Sequence, residues 1–284
     1  MDVVVLLSAN AEEYQKAVKG FTQAANCRVV ATYDMRGDLA KGREHLQQIE
    51  TKDKPALIFA VGIFALQAVA KDPPKTPVVF SMVQNPPSVL KDNTNITGAS
   101  MNVPVEESLA VLKRLNPSLK RVGTVYNEKN TGFLIDEARA AAKKLDLELV
   151  AKNVESDRDA IRGIEELAKE KVEAYWGVPD RVTLGPAFVE QLLLFSFRQR
   201  VPLMGVSRRH ADMGALLSLA PESSEDIGRQ AGELAAALVS GKTAADLPFT
   251  RVRKMEMIVN LKTARKLGIE VPDDMLKNAS SVIR

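Results

Sequence analysis

The sequence predicts an α/β fold built as two Rossmann-like lobes, each a doubly wound parallel sheet with helices on both faces. Three observations carry this. Short apolar runs alternate along the whole chain with segments of helical spacing, the pattern of repeated β-α units. The plan then restarts: Thr76-Pro77-Val78-Val79-Phe80-Ser81 recurs as Val201-Pro202-Leu203-Met204-Gly205-Val206-Ser207, and Gly98-Ala99-Ser100-Met101-Asn102-Val103-Pro104 recurs as Gly214-Ala215-Leu216-Leu217-Ser218-Leu219-Ala220-Pro221. Finally, too few residues follow Pro221 to build a third lobe, so the tail crosses back and completes the first two.

Taken in order, Val3 to Leu7 reads as a buried strand ending at Ser8-Ala9-Asn10. The helix behind it, from Ala11 to Ala25, carries Tyr14, Ala17, Val18 and Phe21 on one face. Strands are expected at Cys27 to Tyr33, Pro55 to Val61 and Pro77 to Ser81, with helices from Leu39 to Thr51 and from Ile63 to Ala70. Asn95 to Met101 is an extended run, and Pro104 with Glu106 and Glu107 opens a helix to Leu115. In the second half, strands fall at Arg121 to Tyr126, Leu147 to Val154, Val172 to Gly177 and Val201 to Ser207. Helices fall at Phe133 to Leu145, Asp159 to Glu170 and Phe188 to Arg200. The tail holds a capped helix from Ser224 to Ser240, a strand from Glu256 to Asn260 and a helix from Leu261 to Leu267. The first lobe is therefore expected to hold residues 1–100 and 221–250, the second 101–220 and 251–284, with a ligand cleft between them.

Composition removes several classes of function. At 284 residues with a formal charge of +3, the basic residues form no stripe or patch of the kind nucleic acid requires. The single cysteine, Cys27, excludes an internal disulfide and a cysteine metal site. The two histidines, His45 and His210, lie in different halves without metal-ligand spacing. There is no Gly-x-Ser-x-Gly elbow, phosphate loop or dinucleotide fingerprint, so no enzyme, cofactor or metal is expected. No apolar run reaches the roughly 18 residues of a membrane helix. The first strand follows Met1 almost at once, so a secretory leader is expected to be absent from this chain, whether removed or never present.

The local wording narrows the class. Ser81-Met82-Val83-Gln84-Asn85-Pro86, Asn95-Ile96-Thr97-Gly98, Arg121-Val122-Gly123, Asp226-Ile227-Gly228-Arg229-Gln230-Ala231-Gly232-Glu233 and Val259-Asn260-Leu261-Lys262-Thr263-Ala264-Arg265-Lys266-Leu267-Gly268 resemble the ABC-transporter substrate-binding proteins that include tryptophan- and tyrosine-binding members. The resemblance covers essentially the whole chain. It implies the type I periplasmic binding protein fold, with three crossover segments joining the lobes. It also implies an ABC importer permease as partner, a periplasmic or otherwise extracytoplasmic location, and a monomer that meets the membrane only through the transporter or a lipid anchor. The third strand of the second lobe, which ends in a Pro-Thr-Asp-Asn turn in amino-acid-binding members, here ends in Trp176-Gly177-Val178-Pro179-Asp180-Arg181.

Ligands bind where parallel strands end, and the strand ends nominate the site. Gly62 followed by a helix presents the amides of Ile63, Phe64 and Ala65 to a carboxylate. Ser8, Asn10, Ser81 and Asn85 stand at neighbouring strand ends as donors and acceptors. The second lobe offers Tyr126, Asn127 and Thr131, Trp176 with Asp180, and Ser207 with Arg208. Trp176 and Tyr126 either wall a ligand ring or pack against helices; Asp180 either takes an ammonium group or caps a helix. The expectation is an extracytoplasmic solute-binding protein that captures an aromatic amino acid or related small carboxylate by hinge closure. The alternative is the effector-sensing domain of a LacI-like regulator. On the first reading, Asp180→Ala or Trp176→Ala weakens ligand binding and leaves stability nearly unchanged.

Overall fold

The computed structural model describes residues 1–90 and 95–284. The chain divides into two compact units, Met1–Asn102 with Pro221–Lys254, and Val103–Ala220 with Met255–Arg284, so it passes from one unit to the other three times.

In the first unit the order is β1 (Asp2–Leu7), α1 (Glu12–Ala25), β2 (Arg28–Asp34), α2 (Leu39–Gln48), β3 (Leu57–Val61), α3 (Ile63–Lys71), β4 (Val78–Val83) and β5 (Ile96–Ser100). The second unit then runs α4 (Val105–Leu115), β6 (Arg121–Tyr126), α5 (Glu128–Lys144), β7 (Glu148–Asn153), α6 (Asp157–Lys169), β8 (Ala174–Trp176), α7 (Pro186–Gln199), β9 (Leu203–Gly205), α8 (Arg208–Met213) and β10 (Leu217–Pro221). Helix α9 (Ser224–Val239) belongs to the first unit, and β11 (Met255–Asn260), α10 (Leu261–Leu267), α11 (Asp273–Asn278) and β12 (Ser281–Ile283) return to the second.

The first sheet has the order β2-β1-β3-β4-β5, parallel throughout. The second is ordered β12-β11-β10-β9-β8-β6-β7. Read from β7, its strands β7-β6-β8-β9-β10 repeat the first sheet's order, which is the duplication visible in the sequence. Each sheet therefore has a topological switch point, between β1 and β3 in the first unit and between β6 and β8 in the second, where successive crossovers leave in opposite directions.

The strands form because apolar residues occupy both faces. In the first unit Val4, Leu6, Ile58, Ala60, Val78 and Phe80 pack with Leu66 and Val69 of α3. On the opposite face the Phe21 ring of α1 stacks on Phe59 with centroids 3.8 Å apart. Each such fully buried aromatic or aliphatic side chain is worth about 1.5–3 kcal/mol. Alternation splits the second unit in the same way. Tyr126, Leu134, Ala138 and Trp176 share one cluster, while Val125, Ile164, Tyr175, Phe188 and Leu203 share the other.

Helices start where polar side chains can cap them. Asn127, Ser156 and Ser223 accept from Lys129, Asp159 and Asp226 amides at the heads of α5, α6 and α9. This corrects the expected start of α5 at Phe133: apolar spacing begins there, but the Asn127 cap opens the helix more than a turn earlier. The helix expected from Leu39 to Thr51 is α2 followed by one π-helical turn, Ile49–Asp53, which ends at Lys54 in the left-handed region. Helices α8 and α11 and strand β12 are short and carry too few periodic positions to be seen in the sequence. Among the described residues, no helix is long and apolar enough to cross a membrane.

Candidate functional site

The first unit's switch point gathers polar groups. Strand β1 ends at Ser8, and β3 ends at Gly62, whose φ of 87° leads directly into α3. A side chain at Gly62 is excluded: a Cβ there would lie 2.6 Å from the Tyr14 hydroxyl and 2.7 Å from Ser8 Oγ. Ser8 Oγ accepts from the Ala65 amide at 2.9 Å, so the expectation that Ala65 is free for a ligand is corrected. The Ile63 and Phe64 amides, in the first turn of α3, have no acceptor within the helix. Tyr14, expected only to pack, instead brings its hydroxyl to this point, and burial raises its pKa.

Strand β4 supplies the next group. Met82 adopts a φ of 58° where the β4–β5 register slips between Ser81 and Val83. Such bulges re-aim side chains next to binding sites. The Ser81 carbonyl accepts from the Gly62 amide at 2.9 Å, while its hydroxyl, wholly buried, has no hydrogen-bond partner among the described residues. Asn85, also left-handed with a φ of 53°, exchanges two hydrogen bonds with Asn102, at 2.8 and 2.7 Å. Asn10 is exposed at the margin and holds Gln15. Phe64 is 38 % exposed, the one aromatic among the described exposed large hydrophobic residues.

The second unit's switch point is shut. Asp180 is wholly buried, and its two carboxyl oxygens accept from the Asn127 amide (2.8 Å), Asn130 Nδ2 (3.0 Å), Thr131 Oγ1 (2.5 Å) and the Val182 amide (2.9 Å). No acceptor capacity is left for an ammonium group, so Asp180 is corrected from a ligand contact to the anchor that joins the loops after β6 and β8. Thr131 is consumed by the same network. Asn127 is consumed as well, its Oδ1 capping α5 and its Nδ2 donating to the Val154 carbonyl. Trp176, 4 % exposed, and Tyr126, 5 % exposed, are core residues rather than a ring wall. The Tyr126 hydroxyl titrates high because it is buried and beside Glu128. Ser207 stands half-buried before α8 with no capping bond, and Arg208 pairs with Glu256 at 3.2 Å.

His210 packs over Gly205 and its Nδ1 accepts from the Val206 amide at 3.2 Å. Burial, then Arg209, lowers its pKa. The folded value thus lies below the unfolded one of about 6.5. The unfolded chain gains a proton first as pH falls, so this contribution to stability is intact above about pH 6.5 and is lost as pH drops through the folded pKa. A His210→Asn variant keeps an acceptor for Val206 but cannot titrate. Its melting temperature, followed from pH 7.5 to 5, is expected to fall less than that of the parent protein; parallel curves would show that His210 is not the group responsible.

The model of the family described as ABC transporter substrate binding protein matches residues 4–283. A tyrosine-binding protein of Clostridioides difficile (strain R20291) is 25 % identical over 270 residues, which cover 90 % of this chain and 77 % of that protein. The ligand-free, open structure of a substrate-binding protein with adhesive properties from Clostridium difficile superposes with a TM-score of 0.75 at 21 % identity, over 99 % of both chains. The structure of an ABC domain in complex with L-Trp from Streptococcus pneumonia gives a TM-score of 0.68, again at 21 % identity and 99 % of both chains. With the family match running almost from end to end of a duplicated parallel α/β fold, the chain belongs to the ABC transporter substrate-binding protein family.

Proposed function

We propose that this chain is the extracytoplasmic solute receptor of an ABC importer and that it captures an aromatic amino acid, or a related small carboxylate, with the ligand carboxylate on the first turn of α3. The observation that carries the reading is the head of α3. The Ile63 and Phe64 amides have no helical partner there, and the buried Ser81 hydroxyl beside Gly62 has no hydrogen-bond partner among the described residues. Helix N-termini attract anions through these amides and the helix dipole. A buried hydroxyl with nothing to bond costs about 1–3 kcal/mol until a ligand satisfies it. Phe64 is the aromatic surface at this edge and takes the ring-stacking role that Trp176 cannot fill from the core. The tyrosine-binding relative and the L-Trp complex support an aromatic side chain on the ligand. Delivery works by hinge closure: a ligand favours the closed form only through contacts it gains there, and the permease reads that form.

Native mass spectrometry followed by calorimetry with L-tyrosine, L-tryptophan and L-phenylalanine tests this. Tyramine and tryptamine, which lack the carboxylate, are the controls. The amino acids are expected to bind and to raise the melting temperature, ligand at about 100 times Kd adding about 2.7 kcal/mol. The amines are expected to do neither. Ser81→Ala removes one hydrogen bond to a charged group and is expected to weaken the amino acid by roughly tenfold to a hundredfold, about 1.5–3 kcal/mol. Equal affinity for tyrosine and tyramine, or an unchanged Kd for Ser81→Ala, overturns the carboxylate assignment.

A further inference from the structure

We infer that Asn102 is a positioning residue that ties the ligand-side loop after β4 to the chain's passages between the units, and that it sets ligand affinity without touching the ligand. This rests on the functional reading above. Asn102 is 2 % exposed and is the last residue of the first unit before the chain leaves it. Its side chain is spent on Asn85: Oδ1 accepts from the Asn85 amide at 2.8 Å and Nδ2 donates to Asn85 Oδ1 at 2.7 Å. Asn85 opens the turn into Pro86–Ser88 in the left-handed region, a conformation that costs an L-residue energy unless its surroundings enforce it. The Asn102 amide group is that enforcement.

The backbone of Asn102 faces the other way. Its carbonyl accepts from the Val252 amide at 3.2 Å, on the segment that leaves the unit at Lys254. The Lys254 carbonyl in turn accepts from the Glu222 amide at 3.1 Å, on the segment that enters the unit at Pro221. Below these, Ser100 Oγ donates to the Thr250 carbonyl at 2.9 Å and accepts from the Asn102 amide at 3.3 Å. All three passages of the chain are thus stitched to one another through main-chain bonds, and one buried amide pair joins the stitch to the β4 loop. A movement of the passages that displaces Asn102 must move Asn85 or break both bonds. Conversely, a ligand that fixes Asn85 fixes the passages. Without the pair, ordering the loop falls to the binding step, and the apparent affinity drops by the fraction of molecules already ordered.

The test is a double-mutant cycle with Asn85→Ala and Asn102→Ala on the whole chain, using L-tyrosine and L-tryptophan as probes, with a pair of spin labels, one in each unit, measured in parallel. Asn102→Ala is expected to weaken the bound amino acid about tenfold, and the double variant no further than the worse single one. The ligand-free distance distribution is expected to broaden in Asn102→Ala and to narrow again at saturating amino acid. Asn102→Asp keeps the acceptor for the Asn85 amide and loses only the donor to Asn85 Oδ1, so a smaller loss of affinity than in Asn102→Ala is expected. Additive losses in the cycle, an unchanged Kd for Asn102→Ala, or a distance distribution indifferent to the substitution overturns the inference. If the parent protein binds neither probe, the functional reading fails instead, and the label distances alone decide the role of Asn102.

Discussion

Asp180→Ala is expected to destabilise the second unit by about 3–5 kcal/mol, because several buried donors each lose their acceptor at about 1–3 kcal/mol and losses within one network do not simply add. Four donors converge on its two oxygens, and the alanine variant leaves the Asn127 and Val182 amides, Asn130 Nδ2 and Thr131 Oγ1 buried with nothing to replace them. For a unit of this size that corresponds to a fall of roughly 10 °C in melting temperature. Hydrogen exchange gives the local readout, since the Asn127 and Val182 amides should lose protection ahead of the sheet. Asp180→Asn, which retains one acceptor and presents an NH2 group to the remaining donors, should fall between alanine and the parent. The sequence alone suggests the opposite pattern, an affinity loss at constant stability. A variant that melts with the parent protein yet binds ligand poorly would therefore return Asp180 to the ligand and sink the anchoring role.

The contrast between Asp180 and Ser81 shows where sequence reasoning stops. An apolar run closed by a polar residue locates a strand and its carboxyl end, which is why Ser8, Gly62, Ser81 and Asn85 could be named from spacing and are brought to one edge of the first sheet. The parallel, doubly wound character of each sheet followed from the same runs together with the rule for crossovers, but not the order in which the strands pair. What spacing cannot give is the direction of a side chain once the strand has ended. Trp176 and Tyr175 are adjacent and alternate, so one of them had to face each helix layer, and nothing in the sequence says that neither reaches solvent. Asp180 lies beyond the strand, where a loop of Val178 to Gly185 bends it back over Asn127. Tyr14 was legible as helical but not as polar at its tip, because a half-buried tyrosine satisfies an apolar pattern while its hydroxyl goes elsewhere. Asn102 left no signal at all: its partner Asn85 is distant in sequence, and only the β4–β5 pairing makes them neighbours.

Gly228→Ala should cost about 2 kcal/mol, although helix propensity taken alone predicts a gain of about 1 kcal/mol for alanine over glycine inside a helix. The sign is decided by the packing of α1 against α9. A Cβ at Gly228 would lie 1.9 Å from the Ala17 carbonyl oxygen, one at Gly20 2.0 Å from the Glu225 carbonyl oxygen, and one at Gly232 2.6 Å from the Phe21 carbonyl oxygen. These neighbours are main-chain atoms and cannot rotate away, so a methyl group forces the two helices apart along their whole contact, and overpacking of this kind costs about 1–3 kcal/mol. The displaced α1 also carries Phe21 off Phe59 and Tyr14 away from Gly62, which links a packing defect at α9 to the polar edge where the ligand is proposed to dock. Urea denaturation of Gly20→Ala, Gly228→Ala and the double variant distinguishes the two forces. Separation by the first methyl makes room for the second, so the double variant is expected to lose less than the sum of the singles. A midpoint that rises in Gly228→Ala would mean that helix propensity outweighs contact, and that the two helices lie farther apart than these distances require.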